Sequence, residues 1–132
     1  MVREHRLKQI NFANKDSLLR HIPDFDLYKF SRITTIRVEW DSTSEDEDLV
    51  VFLTGEYNSE STKVYEVTFR FGGVRQLLLP ELQDRGLWLS ELELETVRGQ
   101  QIEGVGFKLH DYGTEEFTVL CGAVEVVSVK EV

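Results

Sequence analysis

The stretch KVYEVTFRF, residues 63–71, decides the fold. Its large apolar residues recur at every second position, Tyr65, Val67, Phe69 and Phe71, while Glu66, Thr68 and Arg70 fall between them. A period of two is the signature of a strand with one face on a core and the other in water.

The same reading spreads in both directions. Upstream, across the turn NSES, LVVFLTGEY (residues 49–57) is apolar enough to be buried on both faces. Further upstream, ITTIRVEW (residues 33–40) sets Ile36, Val38 and Trp40 on one side and Arg37 and Glu39 on the other. The intervening DSTSEDED (residues 41–48) carries five carboxylates and no apolar residue, so it is expected to be an exposed loop. Downstream, Gly72 and Gly73 allow two readings. They form a two-residue hairpin turn with positive φ at both positions, or a bend inside one strand that continues into VRQLLL (residues 74–79).

After Pro80 and a polar run, WLSELELETV (residues 88–97) reads as a strand, with Leu92 and Leu94 inward and Glu91, Glu93 and Glu95 on the opposite face. IEGVGFKLHD (residues 102–111) places Val105, Phe107 and Leu109 together. DYGTEE closes a hairpin, FTVLC (residues 117–121) returns with Phe117, Val119 and Cys121 inward, and VEVVSV (residues 124–129) follows Gly122 as the last strand. Seven or eight strands with turn signals roughly every 8–12 residues predict a mostly β protein, a single antiparallel β-sandwich or strongly curved sheet. Antiparallel pairing follows from the short connections.

One short helix is expected at the N-terminal side. NKDSLLRHI (residues 14–22) offers Asn14 or Asp16 as N-cap and Leu18, Leu19 and Ile22 as an apolar side, and Pro23 stops it. So short a helix must dock to persist. The arm PDFDLYKFSR (residues 23–32) brings Phe25, Tyr28 and Phe30 to be buried. The chain of 132 residues is thus read as one β-rich domain, residues 1–132, with helix and arm over 1–32 and sheet over 33–132.

Charge narrows the function classes. Asp and Glu number 24 against 15 Lys and Arg, for a net −9. Residues 1–40 carry eight basic and five acidic side chains, and residues 41–132 carry seven and nineteen. So acidic a body is repelled by the phosphates that nucleic-acid binders must neutralise, which excludes nucleic acid as the expected partner. No apolar run approaches the ~20 residues that cross a bilayer, so no membrane association is expected. The start, MVREHRLKQINF, has neither the apolar run nor the small-residue cleavage site of a secretory leader. One cysteine excludes an intrachain disulfide. These readings together predict a cytoplasmic protein.

The search for reaction chemistry returns little. His5, His21 and His110 have aspartates nearby in sequence (Asp24, Asp26, Asp111), but no HExxH-type spacing, so neither metal nor cofactor is expected. Cys121 alternates with core residues and has no cationic neighbour to form a thiolate. Gly104 and Gly106 lie in a strand pattern, where a bulge or a close backbone approach explains them better than a nucleotide loop. The expectation is therefore not an enzyme.

What remains is an acidic surface with aromatic edges. Glu91, Glu93 and Glu95 form a candidate ridge for the Lys and Arg of a partner, with Asp46, Glu47 and Asp48 as a steering loop. Trp88 and Tyr112 are the candidate anchors, although the need to bury large rings favours a core position for Trp40 and Trp88.

The order of features resembles the bacterial polymorphic-toxin immunity proteins of the family labelled immunity protein fifty. The likeness is carried by the proline-led arm Pro23, Asp24, Phe25, Asp26 entering the strand at Ile33, and by Phe71, Gly72, Gly73, Val74 with Leu77, Leu78 and Leu79 after it. It ends on Asp111, Tyr112, Gly113 and the strand from Phe117 to Cys121. It spans about residues 22–129 and departs at Phe25 and Asp26, where a histidine–aspartate pair would stand. The resemblance implies a non-enzymatic protein that neutralises a basic toxin partner. The alternative from the residues alone is a homo-oligomerising structural β-domain whose strand edges pair in a homodimer. A third reading is a small-ligand carrier lined by Phe52, Phe69 and Phe107.

Overall fold

The computed structural model describes residues 10–30, 32–42, 48–81, 87–97 and 104–132. Two antiparallel sheets face each other. A five-stranded sheet has the order β5-β1-β2-β3-β9, and a four-stranded sheet the order β4-β8-β7-β6. The strands are β1 (Arg32–Asp41), β2 (Asp48–Asn58), β3 (Val64–Gly72), β4 (Gln76–Leu78), β5 (Leu87–Trp88), β6 (Leu92–Thr96), β7 (Phe107–Asp111), β8 (Thr118–Cys121) and β9 (Ala123–Glu131). A helix, α1 (Lys15–His21), and a 3-10 turn (Leu27–Lys29) precede them. Among the described residues no helix is long and apolar enough to cross a membrane.

The period-two reading of β3 holds. Tyr65, Val67, Phe69 and Phe71 are buried and pair with Tyr57, Gly55, Leu53 and Val51 of β2, which fixes one inner face across both strands. Leu92, Leu94, Leu109, Val119 and Cys121 supply the inner face of the second sheet. The gap between the sheets, bordered by Leu53, Phe69, Leu94 and Leu109, encloses only about 10 Å³. That is at most the room for one water, so this part of the gap does not support the ligand-carrier reading. Phe52 moreover pairs with Arg37 and Arg70 on the outer face, under the Arg37 guanidinium 4.2 Å above its ring.

Three of the chain's changes of sheet lie within the described residues and weld the layers. At Gly72 and Gly73 the chain forms no hairpin: β3 pairs with β2 and β9, whereas β4 pairs with β8 in the other sheet. Gly73 takes φ +60°, a conformation open to glycine at little cost, and the chain bends from one layer to the other. Directly beside it, β8 passes through Gly122 into β9. Gly122 N–H donates to Gly72 O at 3.0 Å, and Arg75 N–H donates to Leu120 O at 2.8 Å. The two corners are therefore one hydrogen-bonded pair of strands folded together, the usual way strands switch sheets. A Cβ on Gly122 would lie 2.7 Å from Gly104 O, so a side chain has no place there.

The third crossing corrects the sequence reading. WLSELELETV is not one strand: Leu87 and Trp88 pair with Ile33 and Arg32 in the first sheet, and the chain then turns before Leu92 enters the second. The buried positions change phase across the turn, from Leu87 and Leu89 to Leu92 and Leu94.

The helix and arm fill the core. Leu18 and Ile22 are buried, and α1 ends where Pro23 follows. Asn14 is the N-cap residue, but its side chain makes no cap bond. It donates instead to Glu125 Oε1 (3.3 Å) and Val126 O (3.1 Å) of β9, while Ala13 bridges Glu125. The helix is thus tied to a sheet edge. Phe25 stacks on Tyr57 with centroids 4.6 Å apart and meets Phe30 and Phe69, each at 6.1 Å.

Both tryptophans depart from the expected core position. Trp40 is 66 % exposed and Trp88 56 %. Trp40 and Val38 lie on the inner side of β1, in register with Leu49 and Val51, and Val38 is 48 % exposed. The inward side chains at this end of β1 thus remain open to solvent.

Candidate partner-binding face

The outer side of the four-stranded sheet gathers most of the polar groups of interest. In β6 the inward Leu92 and Leu94 force Glu93 and Glu95 outward. Their cross-strand partners in β7 are His110 and Lys108. The Tyr28 hydroxyl donates to Glu93 Oε1 at 2.9 Å, and the Tyr112 hydroxyl donates to Glu95 Oε1. His110 Nδ1 lies 2.6 Å from Thr118 Oγ1, its ring meets Tyr112 edge-on at 4.5 Å, and the Lys108 ammonium sits 5.9 Å from the Tyr112 ring centre. Two carboxylates are therefore held side by side, each oriented by a phenol, on rigid β backbone. Such an arrangement can accept a guanidinium or ammonium group with little further ordering.

The sequence-expected site residues divide. Glu93, Glu95 and Tyr112 come together as read. Glu91 does not share their strand: it lies in the bend before β6, exposed, with its N–H donated to Asp111 Oδ1 at 2.7 Å. Trp88 is exposed, as an anchor must be. Its register partner is Arg32, whose guanidinium lies 5.6 Å from the indole, so it belongs to the outer side of the other sheet and not beside the glutamates. Asp48 begins β2 opposite Asp41, and Asp46 and Glu47 lie outside the described residues. The ridge is also less anionic than its glutamates suggest, because Lys108 stands opposite Glu95. Tyr28, Lys108, His110 and Thr118 were missed. The alternation around Leu109 already turned residues 108 and 110 outward, but only the β6–β7 register sets them against Glu95 and Glu93. Nothing in the arm's sequence marks Tyr28 as surface-facing.

Asp111 anchors the edge of this face. Fully buried, it accepts from Glu91 N–H at 2.7 Å and Thr114 N–H at 3.0 Å, and it holds the DYGTEE turn to the entrance of β6. Asp111→Ala is expected to lose about 2–3 kcal/mol of stability by leaving Glu91 N–H without its carboxylate. Asp111→Asn, which keeps one acceptor, should lose less. Urea midpoints measure both, and equal midpoints for wild type and Asp111→Ala would remove this role.

Other chemistry finds little support. Among the described residues no group of three or more His, Cys, Asp or Glu is placed to hold a metal. His21 Nδ1 lies 2.8 Å from Ser17 O on the exposed side of α1. Cys121 is fully buried, and burial pushes its thiol up to about 12 against the opposing N–H of Ala123. It therefore stays protonated near neutrality. Comparison of the chain with protein families, curated proteins and solved structures finds no match.

Proposed function

We propose that this protein is a non-enzymatic binding protein of the cytoplasm that neutralises a basic protein partner, in the manner of an immunity protein that silences a toxin domain. The observation that carries this reading is the pair Glu93 and Glu95, each fixed by a tyrosine hydroxyl on the outer side of the four-stranded sheet. A preorganised pair of carboxylates flanked by Tyr28 and Tyr112 matches Lys and Arg side chains on a partner. The net charge of −9 adds long-range attraction for a basic surface.

The test is capture from a lysate of the source organism with the immobilised protein and its Glu93→Gln/Glu95→Gln double variant. A basic protein is expected on the wild type, lost on the double variant and weakened at least tenfold between about 50 and about 500 mM salt. A captured protein held equally by both baits at both salt concentrations would refute the reading.

A further inference from the structure

Most of strand β1 forms an edge of the five-stranded sheet among the described residues. Among the described residues, β5 pairs with it only at Arg32 and Ile33, so residues 34–41 meet β2 on one side and no strand on the other. An edge of this kind presents unpaired N–H and C=O groups that template a further strand. The side chains along it are also incompletely buried: Val38 is 48 % and Trp40 66 % exposed on the inner side. On the outer side, Arg37 Nε and Glu39 Oε1 pair at 2.7 Å, with their side chains 58 % and 50 % exposed.

We propose that a second copy of this chain occupies that edge, with β1 pairing antiparallel to β1 of its partner about a two-fold axis through Val38. The charge pattern selects this register. Centred on Val38, Arg37 of each copy stands opposite the partner's Glu39, Ile36 stands opposite the partner's Trp40, and Val38 meets the partner's Val38. Centring on Arg37 or on Glu39 sets like charges directly opposite, which destabilises a sheet. The register on Val38 uses residues 35–41 of each strand, so it stops short of Ile33, where β5 sits. A two-fold axis perpendicular to the sheet keeps both inner faces on the same side. Trp40 then packs beside the partner's Ile36, and the exposed end of each core is covered. The exchange of Arg37–Glu39 from within a strand to across the axis leaves both charges paired. The net −9 on each copy opposes association at low salt, and at about 0.15 M the Debye length of roughly 8 Å screens most of that repulsion. This surface is separate from the Glu93 and Glu95 face, so either proposal can fail alone.

Light scattering in about 0.15 M salt, over a hundredfold range of protein concentration, tests it. The wild type is expected to pass from monomer to dimer mass as concentration rises. Arg37→Glu and Glu39→Arg should each weaken the dimer at least tenfold, and the double swap Arg37→Glu/Glu39→Arg should restore it, because the opposed charges are again opposite in sign. Circular dichroism confirms that these exposed substitutions keep the fold. Glu93→Gln/Glu95→Gln should leave the mass unchanged. A wild type that stays monomeric throughout, a dimer indifferent to the single reversals, or a double swap that fails to restore it overturns the proposal.

Discussion

Replacing Phe25 by alanine is expected to cost about 3–5 kcal/mol, a large share of the stability of an ordinary domain. The residue belongs to the arm after Pro23, a segment with no strand and no long helix, yet it is 1 % exposed. Its ring stacks on Tyr57 and touches Phe30 and Phe69, so it joins the arm to β2 and β3 at once. Gly55 shows how tightly this region is packed: a Cβ there would come within 2.8 Å of the Phe30 ring and 2.6 Å of Arg32 O. Loss of the ring leaves Tyr57, Phe30 and Phe69 without a common partner, and the cavity term adds to the lost transfer energy. Phe25→Leu, which refills much of the volume, should lose less than half as much. Urea unfolding of both variants measures this, and a loss below about 1 kcal/mol for Phe25→Ala would show that the arm is a cover and not part of the core.

The second large effect is a loss of stability in alkali. The Tyr57 hydroxyl is fully buried, accepts from Asp26 N–H at 2.9 Å and donates to Asp24 O at 3.2 Å. Burial raises it from 10.0 to about 12, with the charges of Asp24, Asp26 and Glu60 adding and the Asp26 N–H opposing. Burial likewise raises Cys121 from 9.0 to about 12. In both cases the folded pKa exceeds the unfolded one. Below pH 9 both states hold both protons, and these groups impose no pH dependence. Between pH 9 and 12 the unfolded chain sheds protons that the folded chain retains, so stability falls as pH rises. At 1.36 kcal/mol per pKa unit the tyrosine accounts for roughly 2 kcal/mol and the thiol for roughly 4 by pH 12. Denaturant unfolding at pH 8, 10 and 11.5 should show a steepening decline. Tyr57→Phe should begin less stable at pH 8, because Asp26 N–H and Asp24 O lose their partner, and should then decline less steeply than the wild type. A variant with the same slope as the wild type would show that Tyr57 titrates as it does in the unfolded chain.

The face carrying Glu93 and Glu95 illustrates what a pattern of residues can and cannot convey. Alternation with Leu92 and Leu94 was enough to turn both glutamates outward, because side chains on a strand point to opposite sides in strict succession. It could not supply Tyr28, which arrives from an arm 65 residues away in the chain, or exclude Glu91 and Trp88, which the bend before Leu92 sets apart from β6.

The amino-acid sequence by itself determined the alternation of β3, the outward turn of Glu93 and Glu95, the stop of α1 at Pro23 and the burial of Cys121. Each of these follows from short-range geometry: a period of two, a missing N–H, a run of apolar residues. Only the tertiary structure decided which sheet each strand joins. The crossings at Gly73, at Gly122 and before Leu92 separate Trp88 from the glutamates and leave Trp40 beyond the reach of the opposite layer. Pairing between strands is a long-range choice, set by how two sheets close over one core, and a local repeat holds no record of it.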